Sequence, residues 1–199
     1  MKEYFDSIIK TISASVNSLD YEKLNALTEA CVNAIESGHK IIVSGLGKNV
    51  PVCDKFVGTM NSVGQPAVFM NTNSAVHGDI GMVKEDDIVI ILTKSGETEE
   101  SVYLETLLEK RNCIIWLLTF TKNSKLEKAI HNYRGGVISL ELENEGDKWN
   151  IIPNNSTTVN LIVLQGLAME IANRRGVTLS DFKKNHPGGH IGVQLKNVR

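Results

Sequence analysis

Over residues 1–38 the apolar positions recur at intervals of three and four. Beyond residue 40 they gather into short unbroken runs. Tyr4, Phe5, Ile8, Ile9 and Ile12 form one helical stripe. Leu24, Leu27, Cys31 and Ile35 form a second, with Asp20 ahead of it as a cap and Gly38 behind it as a stop. The runs at 40–44, 67–70, 87–93, 113–118 and 136–140 read as strands. Helical stretches are predicted between them at 52–62 and 98–110, behind the capping box Ser124-Lys-Leu-Glu127, and over 156–174. Apolar runs alternating with helices at this pitch predict βαβ units, hence an α/β fold with a parallel sheet flanked by helices on both faces. Pro51, Pro66, Pro153 and Pro187 all fall at boundaries of this segmentation. There is no internal repeat or linker. The expectation is one domain over 1–199: N-terminal helices at 1–38, an α/β core at 39–175, and a C-terminal helix and loop at 176–199.

Composition narrows the class of function. Hydrophobic residues at 42% and charged residues at 22% are ordinary globular usage, which excludes disordered and collagen-like chains. A net charge of -2 argues against a protein that coats nucleic acid or an anionic membrane. The three cysteines, Cys31, Cys53 and Cys113, are odd in number and lack a CxxC pair, so they read as free thiols in a reducing compartment. The N-terminus has no apolar signal-peptide core, and no run approaches the roughly 20 residues that span a bilayer. A soluble, cytoplasmic protein is expected. The histidines are scattered without HxH or HExxH spacing, so no metal site is expected.

In an open parallel sheet the chemistry sits beyond the carboxyl ends of the strands. The loop after the first strand is Ser44-Gly-Leu-Gly47-Lys48-Asn49. Its glycines allow close backbone approach, the next helix offers free N–H groups to an anion, and Lys48 adds a cation. The pattern is neither GxGxxG nor a Walker A loop, so no dinucleotide or nucleoside triphosphate cofactor is expected. The loop after the third strand, Thr93-Lys-Ser95-Gly-Glu-Thr98-Glu-Glu100, places three hydroxyls at a helix start, where they suit phosphate oxygens or simple capping. Capping accounts for Thr98 more readily than for Thr93 and Ser95. Asn154-Asn-Ser156-Thr157-Thr158 opens the long apolar helix as a third anion contact or as its cap. His77, in Val76-His-Gly-Asp79, and His186, in His186-Pro-Gly-Gly189, are the loop imidazoles.

Together these loops resemble the sugar isomerase (SIS) domain family, and within it the arabinose-5-phosphate isomerases. The resemblance runs from about Ile8 to Leu195. It rests on Gly45-Leu-Gly-Lys48, Val76-His-Gly-Asp-Ile-Gly-Met82, Ser95-Gly-Glu-Thr-Glu-Glu100, Pro153-Asn-Asn-Ser-Thr-Thr158 and His186-Pro-Gly-Gly189. It implies a five-stranded parallel sheet in a flavodoxin-like three-layer α/β/α fold. It also implies a homodimer or homotetramer with sites at subunit interfaces, and a sugar-phosphate substrate. By the same resemblance, Lys48, Glu100, Glu145 and His186 are the catalytic set, with Glu145 matched through its spacing ahead of Pro153. Ser44, Gly47, Asn49, His77, Thr93, Ser95, Thr98, Ser156 and Thr157 are the substrate-binding set. The chain departs from the family pattern at Asn49 and Val50, at Ser74, at Lys94 and over 146–152. The paired CBS domains that often follow are absent from these 199 residues.

Isomerisation of D-arabinose 5-phosphate and D-ribulose 5-phosphate through an enediol needs ring opening, proton removal beside a carbonyl, and reprotonation at the neighbouring carbon. On this reading His186 opens the ring or shuttles protons, Glu145 or Glu100 transfers the proton at carbon, and Lys48 stabilises the enediolate. Two alternatives stand beside it. One is an isomerase of another sugar phosphate, such as a hexulose 6-phosphate or a sedoheptulose 7-phosphate, against which HPGG argues. The other is a non-catalytic phosphosugar sensor; those in transcription regulators carry a helix-turn-helix, for which the two non-basic helices before residue 40 leave no room.

Overall fold

Each apolar run becomes a strand, and the central ones are covered on both faces. The computed structural model describes residues 1–131 and 134–196. Helices α1 (Lys2–Asn17) and α2 (Tyr21–Glu36) come first, then β1 (Ile41–Gly45), α3 (Val50–Ser62) and β2 (Ala67–Asn71). Next are α4 (Thr72–Ala75), β3 (Ile88–Leu92), α5 (Glu99–Glu109), β4 (Ile114–Thr119), α6 (Lys125–Ile130) and β5 (Gly135–Ser139). The chain continues through α7 (Asn155–Arg174), α8 (Leu179–Asn185) and α9 (Gly189–Lys196). The five strands are parallel, in the order β2-β1-β3-β4-β5. Every residue of β1 and β3 is buried, as expected of strands sandwiched between helical layers.

The alternation of side chains along each strand divides the core in two. Ile41, Val43, Ile88, Ile90 and Leu92 face α2, α3 and α7 through Leu27, Cys31, Phe56, Met60, Leu164 and Ile171. Ile42, Val89, Ile91, Ile115 and Leu117 face α5 and α6 through Leu104, Leu108, Leu126 and Ile130. The three cysteines are buried and free. Burial pushes the Cys113 thiol up to about 11, which makes it inert.

Several details differ from the sequence reading. Asp20 caps α2 as expected, its carboxylate accepting from Lys23 N at 3.0 Å. The capping box of α6 is only half formed. Ser124 Oγ accepts from Glu127 N at 3.2 Å, but the Glu127 carboxylate takes the N–H of Asn123 instead of the cap residue's own. The stretch after β2, read as a loop, coils into α4 and a 3-10 turn at Asp79–Met82. The HPGG residues connect two helices, and Gly189 opens the second of them. The stripe on α1 is left largely uncovered. Tyr4, Phe5 and Ile9 are exposed, and the residues α1 buries are Thr11 and Ser15. On α7, Ile162 and Met169 also face outward, although most of that helix is core.

Candidate functional site

A sheet of order 2-1-3-4-5 reverses direction between β1 and β3, and a crevice opens there beyond the strand ends. A cleft of about 230 Å³ occupies this place. Four segments wall it: Leu46 to Asn49 after β1, Leu92 to Thr98 after β3, Ser101 in α5, and Pro153 to Asn160 at the start of α7. Gly47, Lys48, Asn49, Thr93, Ser95, Thr98, Ser156 and Thr157 all line it, so most of the expected substrate-binding set converges on one space.

The turn after β3 is held from behind. Gly96 has φ +66°, and a Cβ there would fall 2.6 Å from Ser124 Cβ, so only glycine lets the turn cross the start of α6. Thr93 Oγ1 accepts from Gly96 N at 3.1 Å, and Ser95 Oγ accepts from Glu97 N at 3.2 Å. Thr98 makes no side-chain cap bond. The capping account therefore fits the wrong residue: Thr93 and Ser95 brace the turn, while the Thr98 hydroxyl is unused by the helix it precedes. Glu97 points away from the cleft, taking the N–H of Lys125 at 2.9 Å and its ammonium at 3.3 Å. The Lys125 N–H is the largest influence holding its carboxyl below the usual range.

Charge in the cleft comes from two lysines. Lys48 is exposed and has no ion pair among the described residues. Lys94 lies across the cleft with its Nζ 2.6 Å from a Glu145 carboxylate oxygen. Glu145 is fully buried, and its Oε2 accepts from Asn154 N at 3.1 Å and Ser156 N at 2.9 Å. This carboxylate, and not the Asn154 side chain, caps α7. Burial alone pushes the Glu145 pKa up. The Lys94 ammonium and the Ser156 and Asn154 groups outweigh burial and hold the carboxyl below its ordinary value.

Other expected site residues lie outside the cleft. Ser44 is buried, its hydroxyl 3.0 Å from Thr72 Oγ1, so it joins β1 to the start of α4 and does not face the cleft. His77 is exposed on the turn behind α4, at the same end of the sheet. Glu100 is exposed in the first turn of α5 and is not part of the cleft wall. His186 is farther away. Its Nδ1 donates to Phe182 O at 2.8 Å, its Nε2 meets Ser62 Oγ at 3.2 Å, and its ring stacks on Phe182 at 3.9 Å. Ser62 ends α3 and Asn49 precedes it, so the length of that 13-residue helix, roughly 18 Å, separates His186 from the cleft of its own chain.

Three polar residues of the cleft, Lys94, Ser101 and Asn160, were not among those expected. Lys94 stood out only as an unusual cation after a strand. Asn160 is a buried polar residue in an otherwise apolar stretch of α7, and its Nδ2 donates to Asn49 Oδ1 at 3.0 Å. A polar side chain breaking an apolar run was the signal that would have flagged it. Among the described residues, no three His, Cys, Asp or Glu side chains are placed to share a metal ion.

Residues 34–133 match the SIS domain family. The arabinose 5-phosphate isomerase KdsD of Pseudomonas aeruginosa is 34% identical over 167 residues, 84% of this chain and 50% of that protein. The arabinose 5-phosphate isomerase KpsF of Escherichia coli is 32% identical over 187 residues, 94% of this chain and 54% of that protein. The chain thus spans about half the length of these curated relatives. Among solved structures, a protein of Escherichia coli CFT073 in complex with arabinose 5-phosphate superimposes with a TM-score of 0.84. It is 27% identical, over 94% of this chain and 95% of that one.

Proposed function

The chain belongs to the SIS domain family, and on that premise we propose that it is an aldose–ketose isomerase of sugar phosphates, interconverting D-arabinose 5-phosphate and D-ribulose 5-phosphate. The observation that carries this reading is the cleft at the β1/β3 crevice, where Lys48, Lys94 and the hydroxyls of Ser95, Thr98 and Thr157 surround one space beside the start of α5. The N–H groups of a first helical turn lack partners within the helix, so α5 adds donors for a phosphate. The names of the two relatives and the neighbour bound to arabinose 5-phosphate support the pentose phosphate.

In this mechanism the phosphate sits on the 95–98 turn and the sugar extends toward Lys48. Lys48 stabilises the enediolate oxygen as charge develops on it. Glu145 is favoured over Glu100 for proton transfer at carbon, because Glu145 lies directly behind the cleft wall and Glu100 stands outside it. His186 opens the sugar ring. Since it lies at the far end of α3 in its own chain, a second copy supplies it to the cleft. The exposed Tyr4, Phe5 and Ile9 of α1 and Ile162 and Met169 of α7 are the apolar surface that such a homo-oligomer covers.

The deciding experiment incubates the protein with arabinose 5-phosphate and follows the anomeric signals of both sugars by NMR. Conversion is expected. Binding of pentose or hexose phosphates without conversion of any of them would instead identify a phosphosugar sensor.

On the same reading, Ser95→Ala should raise the KM by about tenfold, the loss of one hydrogen bond to a charged group. Thr98→Val should do the same without altering thermal stability, because the Thr98 hydroxyl caps nothing. Unchanged sugar-phosphate affinity in both variants would move the phosphate elsewhere. Sedimentation at micromolar protein should show a dimer or larger assembly, and a fully active monomer would refute the shared site.

A further inference from the structure

The cleft hides a carboxylate that it does not expose. Glu145 is fully buried, yet two residues that touch it, Lys94 and Ser156, form part of the cleft wall. Its two oxygens are held differently. Oε2 is fixed by the N–H groups of Asn154 and Ser156, whereas Oε1 has the Lys94 ammonium at 2.6 Å and no hydrogen-bond partner besides it among the described residues.

Lys94 is built to move at one end only. Its backbone carbonyl is pinned by Phe120 N at 3.1 Å, Thr119 Oγ1 at 3.3 Å and Thr121 Oγ1 at 3.0 Å. Its side chain is 44% exposed and passes along the cleft. An anion seated on Ser95, Thr98 and the start of α5 therefore competes with Oε1 for the same ammonium.

We propose that Lys94 is a ligand-operated cover over Glu145: the phosphate of an incoming sugar phosphate draws the ammonium off Oε1 and opens the carboxylate to the sugar. The inference rests on the sugar-phosphate reading of the cleft. A carboxylate in a dry site that loses its neighbouring cation becomes more basic. Uncovered, Glu145 takes the proton from the carbon beside the carbonyl. An O–H bond forms as the C–H bond breaks and the electron pair passes into the enediolate; a hydroxyl proton moves from one enediol oxygen to the other, and the carboxyl returns its proton to the adjacent carbon as the carbonyl re-forms. In the empty cleft the base stays covered and ionised. No other cation is paired with Glu145 among the described residues. Other titratable groups around the site are Lys48, exposed on the same cleft; Tyr4 of α1, whose hydroxyl accepts from Asn154 Nδ2 at 3.3 Å; and Asp147 of the loop that carries Glu145. Asp147 is occupied by the N–H groups of Trp149, Ile151 and Ile152.

The test reads the carboxyl directly and needs no turnover. Protein carrying 13C at glutamate Cδ is titrated by NMR with and without sulfate, a phosphate mimic that holds one charge state over the range used. Glu145→Gln identifies the resonance. Saturating sulfate should raise the Glu145 midpoint by about 1 pH unit or more. Lys94→Met should raise it without sulfate and abolish the response, and Lys94→Arg should restore the covered state. Calorimetry on the same samples reports whether sulfate binds. Sulfate binding that leaves the midpoint unmoved would overturn the cover alone, as would a Lys94→Met midpoint equal to that of the unaltered protein. No sulfate binding at all would remove the anion reading of the cleft and the cover with it.

Discussion

Glu145→Gln should cut turnover by about a hundredfold or more, the usual loss for a general acid–base group. Sugar-phosphate affinity should hold or rise, because Lys94 is released from its carboxylate partner. The same substitution should change the acid limb of the stability curve. The folded carboxyl titrates below its ordinary value of 4.5, so the unfolded chain takes up the proton first as pH falls. The stability contributed by Glu145 is therefore complete above that ordinary value and is lost as pH drops through the lower, folded one. Denaturant melts between about pH 3 and 6 should show a shallower loss for Glu145→Gln than for the unaltered protein. Glu145→Ala goes further, orphaning the buried N–H groups of Asn154 and Ser156 at a cost of about 1–3 kcal/mol. Near-normal turnover in Glu145→Gln would end its role as the base, whatever the stability result.

His186→Gln should lose turnover on the same scale, about a hundredfold or more, with the cleft's affinity for sulfate intact. Its two ring contacts, to Ser62 and Phe182, lie at the end of α3 remote from the cleft, so the cleft itself is undisturbed. If the imidazole serves a neighbouring subunit, inactive His186→Gln and inactive Glu145→Gln proteins should regain activity when mixed and allowed to exchange subunits. A mixed dimer holds one site with both residues intact, so recovery approaching a quarter of the unaltered activity is expected from random pairing of a dimer. A dimer that exchanges subunits and stays inactive would place His186 in the cleft of its own chain, against the geometry of α3.

The features legible in the sequence were those that short-range physics controls. Five short apolar runs announced parallel strands, and the run at 87–93 a buried one, because a strand covered on both faces has no polar side to alternate with. Asp20 ahead of a helical stripe announced the start of α2, since its carboxylate needs only the N–H three residues away. The glycine and hydroxyl turns after β1 and β3 were legible as anion-binding candidates for the same reason. The segment from Thr72 to Met82 was not: four-residue turns of helix carry too few positions to show a period. The hydroxyls of Thr93, Ser95 and Thr98 were misassigned between bracing and availability, because rotamer choice depends on Gly96 packing against Ser124, a residue from another loop.

The sequence by itself determined the repertoire: two leading helices, five strands, and anion-friendly turns behind two of them. The tertiary structure decided which of these parts meet. Only the sheet order β2-β1-β3-β4-β5 brings the turns after β1 and β3 to one crevice, and only the return of α7 over that crevice brings Glu145 within 2.6 Å of Lys94. Those two residues are 51 positions apart, so no local periodicity or capping preference links them; a long-range packing solution does. The same solution leaves His186 at the far end of α3 and the apolar stripe of α1 uncovered, because a helix's apolar face says that it will be buried but not by which chain.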